Sequence, residues 1–394
     1  MFPDNSYGRA LFLTAAYVSL VVLLRFKRLS DLHAKFAHLL VPNDKQPLLE
    51  QRLAYTDAQE ILHVSEQWDM PWMLHHSLEF ALFKAFGIPT VSKVLVHSAQ
   101  IPLGVGRRAE DTACILNEMM AQGIDSVRGS TALCRMNFLH SRHGSSIKTE
   151  DIIYVMSLFI FEPIDWTHRY EWRSMSELEQ AARFVWWSEI GARMGVPPHL
   201  LPQSLFELRE WTETYEIEHM VFAPSNKECA TATRDLFLRP LPQFAQAFGC
   251  HAVSALLSDR LRISMGFEEP PQAYRVWMPR ILKIRGWLIR WFALPRWQSW
   301  SFGEAEVKGD PGRYTRADWV FEPWYVAPKL GSYLRGLISP VPPSSGFHQQ
   351  GYRVEELGPE KLRGQGREAV IGAASKMRAR ANGGKCPFRT NTTP

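Results

Sequence analysis

The chain contains no CxxC pair, no phosphate loop, no Gly-x-Gly-x-x-Gly turn, no His-Glu-x-x-His helix and no Gly-x-Ser-x-Gly elbow. Zinc ribbons, nucleotide-binding folds, zincin metalloproteases and serine hydrolases therefore lack their usual signatures. Gly104-Val105-Gly106 and Gly364-Gln365-Gly366 lack the rest of a dinucleotide pattern and read as turns. Cysteine is scarce: Cys114, Cys134, Cys229, Cys250 and Cys386 are odd in number and scattered, which excludes a disulfide framework and places the body in a reducing compartment. Excess charge of one sign is also missing. A net charge of +5 is too small to point to nucleic acid. Period-two alternation and Asn-Gly or Asp-Gly hairpin signals are nearly absent, so a sheet is not expected. Aromatic residues, in contrast, are plentiful. Fourteen tryptophans and 22 phenylalanines, in a chain that is 46% hydrophobic, point to large apolar pockets, membrane contact or both.

Only one long apolar run exists, from Ala10 to Leu24, followed by Arg25, Lys27 and Arg28. It falls slightly short of the ~20 residues that span a bilayer, a deficit that snorkelling cations or tilt can absorb. Its positive cluster follows the run instead of preceding it, which argues against a cleaved signal and, by the positive-inside rule, keeps the body cytosolic. A second membrane-facing candidate covers residues 271–303, with six cations, no acidic residue and five tryptophans. Trp277, Ile281, Ile284, Leu288, Trp291 and Phe292 recur there at helical spacing. A core helix with a solvated basic face explains that pattern equally well.

Between residues 50 and 265 the spacing is helical almost throughout. It predicts helices over 71–86, 108–120, 127–143, 149–161 (stopping before Pro163), 176–194 and 206–221. The expected fold is all-α: a membrane anchor over residues 1–28, one large helical domain over 29–360 with an irregular C-terminal wrap, and a tail over 361–394.

Two patterns carry candidate chemistry. On a helix, Leu133, Met136, Asn137 and His140 share a face, which sets an imidazole at the end of an apolar stripe, where it could be a core residue or an axial ligand to haem iron. Arg108, Asp111, Thr112 and Ile115 share another, offering a cation and a hydroxyl beside an apolar surface. A competing di-iron reading uses Glu60-x-x-His63 and Glu216-x-x-His219, with Glu79, Glu118, Glu179 and Glu189 as possible further ligands.

Several stretches resemble the mpaB oxygenase family, ER-bound fungal enzymes related to the latex-clearing rubber oxygenases. They are Trp68-Asp69-Met70-Pro71-Trp72, Gly87 to Lys93, Arg107 to Thr112, Arg135 to His140, Tyr170-Glu171-Trp172-Arg173, Tyr215-Glu216 with Met220-Val221, and Val354 to Pro359. The resemblance implies an ER-membrane, single-pass, haem b dependent oxygenase that uses dioxygen to cleave an isoprenoid C=C bond of a hydrophobic prenylated substrate in fungal secondary metabolism. It further implies His140 as the iron ligand, Arg135 and Arg108 as cofactor-binding residues, and Arg108 with Thr112 on the catalytic side. Where rubber oxygenases can carry a distal lysine, this chain has Asp111, so the distal position is expected open or water-bound. A di-iron oxygenase, a haem-dependent hydroxylase and a non-catalytic isoprenoid-binding membrane protein stand as alternatives.

Overall fold

Serine side chains open several of the helices. Ser126, Ser176, Ser204 and Ser258 each accept a hydrogen bond from the backbone N–H three residues on, which satisfies a donor that a first turn leaves orphaned. At Ser176 the cap is reciprocal, because its own N–H donates to Glu179 at 2.8 Å.

The computed structural model describes residues 6–40, 48–98, 100–300, 305–316, 321, 325, 348 and 350–381. Its longer helices are α1 Ser6–Lys35, α2 Tyr55–Val64, α3 Pro71–Ala85, α4 Pro89–His97, α5 Gln100–Gln122, α6 Val127–Ser141, α7 Thr149–Tyr170, α8 Glu177–Arg193, α9 Leu205–His219, α10 Pro224–Leu238, α11 Gln243–Leu256, α12 Gln272–Phe292 and α13 Arg367–Ala381. Among the described residues, strand is confined to the pair Ala305–Glu306 and Tyr314–Thr315. The fold is all-α. Packing of α3 along α7, α2 along α8 and α5 along α6 builds the body, and α10 lies against both α4 and α5.

The helix expected to stop before Pro163 runs through it to Tyr170. Proline lacks the N–H that would bond the Phe159 carbonyl. Arg183 of α8 supplies the missing donor at 3.0 Å, while its other terminal nitrogen pairs with Glu66 at 2.6 Å. A fully buried guanidinium thus carries α7 across the proline.

Two of the sequence stretches quoted above meet in space. The Trp172 indole donates to the Asp69 carbonyl at 3.1 Å, and Arg173 bridges the carboxylates of Asp69 and Glu179 at 2.7–2.8 Å.

Residues expected to form a C-terminal tail are partly structural. Helix α13 packs on α6 and buries Val370, Ala374 and Met377. Cys386 to Pro394, expected to fray, lies outside the described residues.

Helix α1 continues past residue 28 to Lys35, so the expected anchor boundary falls inside a helix. Its first half exposes Leu11, Phe12, Leu13 and Leu20, whereas Val21, Arg25 and Leu32 are buried against the body. Arg25 lies over Trp172 at 4.9 Å and donates to the Ala293 carbonyl; Arg28 lies over Trp68 at 4.5 Å. The basic end of the run is therefore docked on protein.

Helix α12 packs beside α1 and is not a core helix, since Gly286 is its one buried residue. Arg285 reaches inward to Glu171 at 3.1 Å and Arg290 to the Trp172 carbonyl at 3.1 Å. Gly286 permits this approach, since a Cβ there would stand 2.5 Å from the Tyr170 carbonyl oxygen. Trp277, Ile281, Ile284, Trp287 and Leu288 face outward, each about half exposed.

Candidate functional site

Helix α6 delivers His140 to the wall of a cavity of about 550 Å³, together with Met136 and Leu139. Phe86, Ile115 and Trp187 complete much of the apolar lining. The His140 Nδ1 is buried and has no hydrogen-bond partner. Burial, aided by the nearby Arg108 cation, pushes its pKa down to about 4, so the imidazole is neutral at physiological pH. Of its expected neighbours on the stripe, Leu133 is a core residue and Asn137 donates to the Arg193 carbonyl at 2.9 Å.

Helix α5 bends at Gly104, whose φ/ψ is non-helical, and then presents Arg108, Thr112 and Ile115 to the same cavity. Arg108 and Thr112 also line a second, largely apolar cavity of about 150 Å³, with Leu78, Phe83 and Phe237. They form part of the partition between the two spaces. The second cavity reaches Gln67, Pro71, His75 and Trp300, next to the Trp68 and Trp72 on which Arg28 and Arg285 lie.

Asp111, although it follows Arg108 by three residues, does not join this partition. It accepts from the Tyr325 hydroxyl at 2.6 Å and pairs with Arg107 at 3.5 Å, and burial raises its pKa to about 7. It lines neither cavity, so its carboxylate is removed from the site by its own partners.

Arg135 is the clear correction. Its guanidinium is fully buried and donates to the carbonyls of Leu357, Gln365 and Leu362 at 2.7–2.9 Å. Each of its three nitrogens donates one hydrogen bond in tying residues 357–365 to α6, and Arg135 lines neither cavity. That tie positions residues which sequence reasoning missed. Lys361 joins Arg142 and His143 at the large cavity's edge. The carboxylate on this lining, Asp151, is already engaged by the hydroxyls of Thr90 and Tyr215 at 2.7 Å each. No carboxylate among the described residues pairs with Arg108, Arg142 or Lys361. No spacing signal reveals Lys361, because it arrives from more than two hundred residues away in sequence.

The residues of the di-iron reading do not converge on one site. Glu60 pairs with Lys35 at the surface, whereas Glu216 pairs with Lys84 at 2.8 Å on another helix, and His219 stacks on Tyr215. Glu118, Glu179 and Glu189 are held by Arg128, Arg173 and Arg193. Of these glutamates, Glu79 is the one that pairs with histidine, beside His75 and His76. The His-His-x-x-Glu spacing on α3 is visible in the sequence and signals that grouping.

Comparison with known proteins finds similar oxygenases. A family profile described as "ER-bound oxygenase mpaB/B'/Rubber oxygenase, catalytic domain" matches residues 104–291, which include Arg108, Thr112 and His140. The chain is 30% identical to the ER-bound oxygenase mpaB' of Penicillium brevicompactum, over 94% of this chain and 92% of that protein. It is 31% identical to the ER-bound oxygenase mpaB of Penicillium roqueforti, over 67% of this chain and 91% of that protein.

Proposed function

We propose that this chain, which belongs to the mpaB oxygenase family and is by that membership an oxygenase, uses haem b and dioxygen to cleave a C=C bond in the prenyl side chain of a membrane-partitioned substrate. The observation that carries the haem reading is His140: a neutral imidazole with a buried, unpartnered Nδ1 on the wall of the large cavity. The cavity volume is in the range of small-molecule and cofactor sites. Arg142 and Lys361, with which no carboxylate among the described residues pairs, suit the two carboxylates of a haem. His140 would hold the iron, and the haem would supply the redox chemistry that activates dioxygen.

The chain's own residues then do the positioning. Arg108 and Thr112 offer hydrogen-bond donors at the partition, where dioxygen and substrate would meet. Leu78, Phe83 and Phe237 exclude water and hold the apolar chain. Addition of both oxygen atoms across the double bond gives one aldehyde and one ketone from a trisubstituted alkene, so atoms balance without a further reductant. Membership of an oxygenase family removes the non-catalytic alternative. Cleavage is distinguished from hydroxylation by product mass: incubation with a prenylated phenol under ¹⁸O₂ is expected to give two carbonyl fragments, each carrying label. A pyridine haemochrome from the purified protein is the accompanying cofactor test; colourless, iron-free protein with activity would sink the haem reading.

We assign the membrane contact to α1 and α12 together. Helix α1 is long and apolar enough to cross a bilayer, and the outward face of α12 adds half-exposed tryptophan and aliphatic side chains flanked by Arg280 and Lys283. The body would face the cytosol at the ER, as the basic residues after the apolar run favour. Removing residues 1–20 alone is expected to leave a membrane-associated protein that salt does not release. Replacing Trp277, Ile281, Ile284 and Leu288 by serine in that truncated chain should shift it into the soluble fraction. A truncated chain that is already fully soluble would rule out α12 as a membrane contact.

A further inference from the structure

Helix α3 carries His75, His76 and Glu79 in one patch. At about 100° per residue, position i+4 lies between i and i+1 around the helix axis, so one carboxylate a turn away faces both imidazoles. The contacts follow: His75 Nε2 is 3.3 Å from Glu79 Oε1, and His76 Nδ1 is 2.7 Å from Glu79 Oε2. One ligand atom from each of the three lies within 4.8 Å of the others, the one such grouping of histidine, cysteine and carboxylate among the described residues.

We propose that His75, His76 and Glu79 form a mononuclear site for a divalent transition-metal ion at the outer end of the smaller cavity. Two imidazoles and one carboxylate are a borderline ligand set that suits Zn(II), Fe(II) or Co(II) and not Ca(II) or Mg(II). A tetrahedral ion with ligands at ~2.1 Å sets them about 3.4 Å apart. The His75–Glu79 separation meets that spacing, and the His76–Glu79 hydrogen bond has to open by about 0.7 Å. Trp72 packs against His76 at 4.4 Å and Trp300 against His75 at 5.6 Å, giving the group an apolar surround that restrains both rings.

Three protein ligands leave at least one position for water or a substrate heteroatom, the arrangement of open metal sites. That position matters because His75 and Glu79 line the same cavity as Arg108 and Thr112. A polar group of the substrate, such as a phenol or carboxylate, could be held at the ion while its apolar chain runs inward. The site is distinct from His140, and it stands or falls independently of haem.

The test uses the full-length protein in detergent, stripped with EDTA and titrated with Co²⁺. Saturable uptake of one equivalent, with visible ligand-field absorption, is expected. Loss of an outer-shell partner typically weakens metal affinity 10–100-fold, so loss of a ligand in His76→Ala or Glu79→Gln should weaken it by at least ~100-fold. Glu79→Gln preserves shape, and its unchanged melting temperature in EDTA separates lost ligation from lost folding. His140→Ala should keep the cobalt spectrum. No saturable uptake by the parent protein, or equal uptake by Glu79→Gln, overturns the proposal and leaves a hydrogen-bonded His-Glu-His cluster.

Discussion

Replacing His140 by alanine is expected to strip haem from the purified protein, lowering the haem-bearing fraction at least ~10-fold, with turnover falling in proportion. The bound is conservative, since loss of a mere outer-shell partner already costs 10–100-fold in metal affinity. His140 combines a pKa near 4 with a buried, unpartnered ring nitrogen on the large cavity. The sign of its pH dependence follows from that pKa. Folded His140 stays neutral as pH falls below the unfolded value of about 6.5, where the unfolded chain takes up a proton. Stability contributed by this group is therefore complete above pH ~6.5 and is lost as pH falls toward 4, while ligation should persist down to about pH 5. His63→Ala and His219→Ala are expected to retain haem, because neither residue lines the large cavity. A wild-type Soret band in His140→Ala would show that the ligand is elsewhere.

The second large effect is expected at the partition. Arg108→Ala and Thr112→Ala should keep haem content near that of the parent and lose turnover by about 10²–10³-fold each, the usual cost of one preorganised donor. Arg108 is informative for a further reason. Burial lowers its pKa, and no carboxylate among the described residues offsets the desolvation of its charge. A cation held in that way is costly to the fold. The alanine variant should therefore melt no lower than the parent, which separates a functional role from a structural one. Unchanged kcat/KM in either variant would show that the partition does not face the reacting atoms.

Much of this protein is legible in one dimension. The all-α fold, most helix boundaries, the apolar run of α1 and the stripes bearing His140, Arg108 and Thr112 all follow from periodicity, capping residues and charge, which act locally. Local rules also allow a definite error at Pro163, because the donor that rescues the helix, Arg183, comes from another element.

Tertiary structure decided the rest, for the same physical reason each time: the fate of a charge depends on the partner it meets. Arg135 sits in a stretch matching the family pattern, yet it donates to three distant carbonyls and lines neither cavity. Asp111 shares a helix with Arg108 and Thr112, but Tyr325 and Arg107 hold it away from both cavities. The basic residues of α12 looked equally able to face water or lipid, and Glu171 and the Trp172 carbonyl draw two of them inward, leaving the tryptophans outside. The amino-acid sequence alone determined that His140, Arg108 and Thr112 could do chemistry and on which helix each would lie. Packing between helices determined which of them remain unpaired beside a cavity, because hydrogen-bond and ion-pair partners are supplied by chain segments that sequence spacing does not bring together.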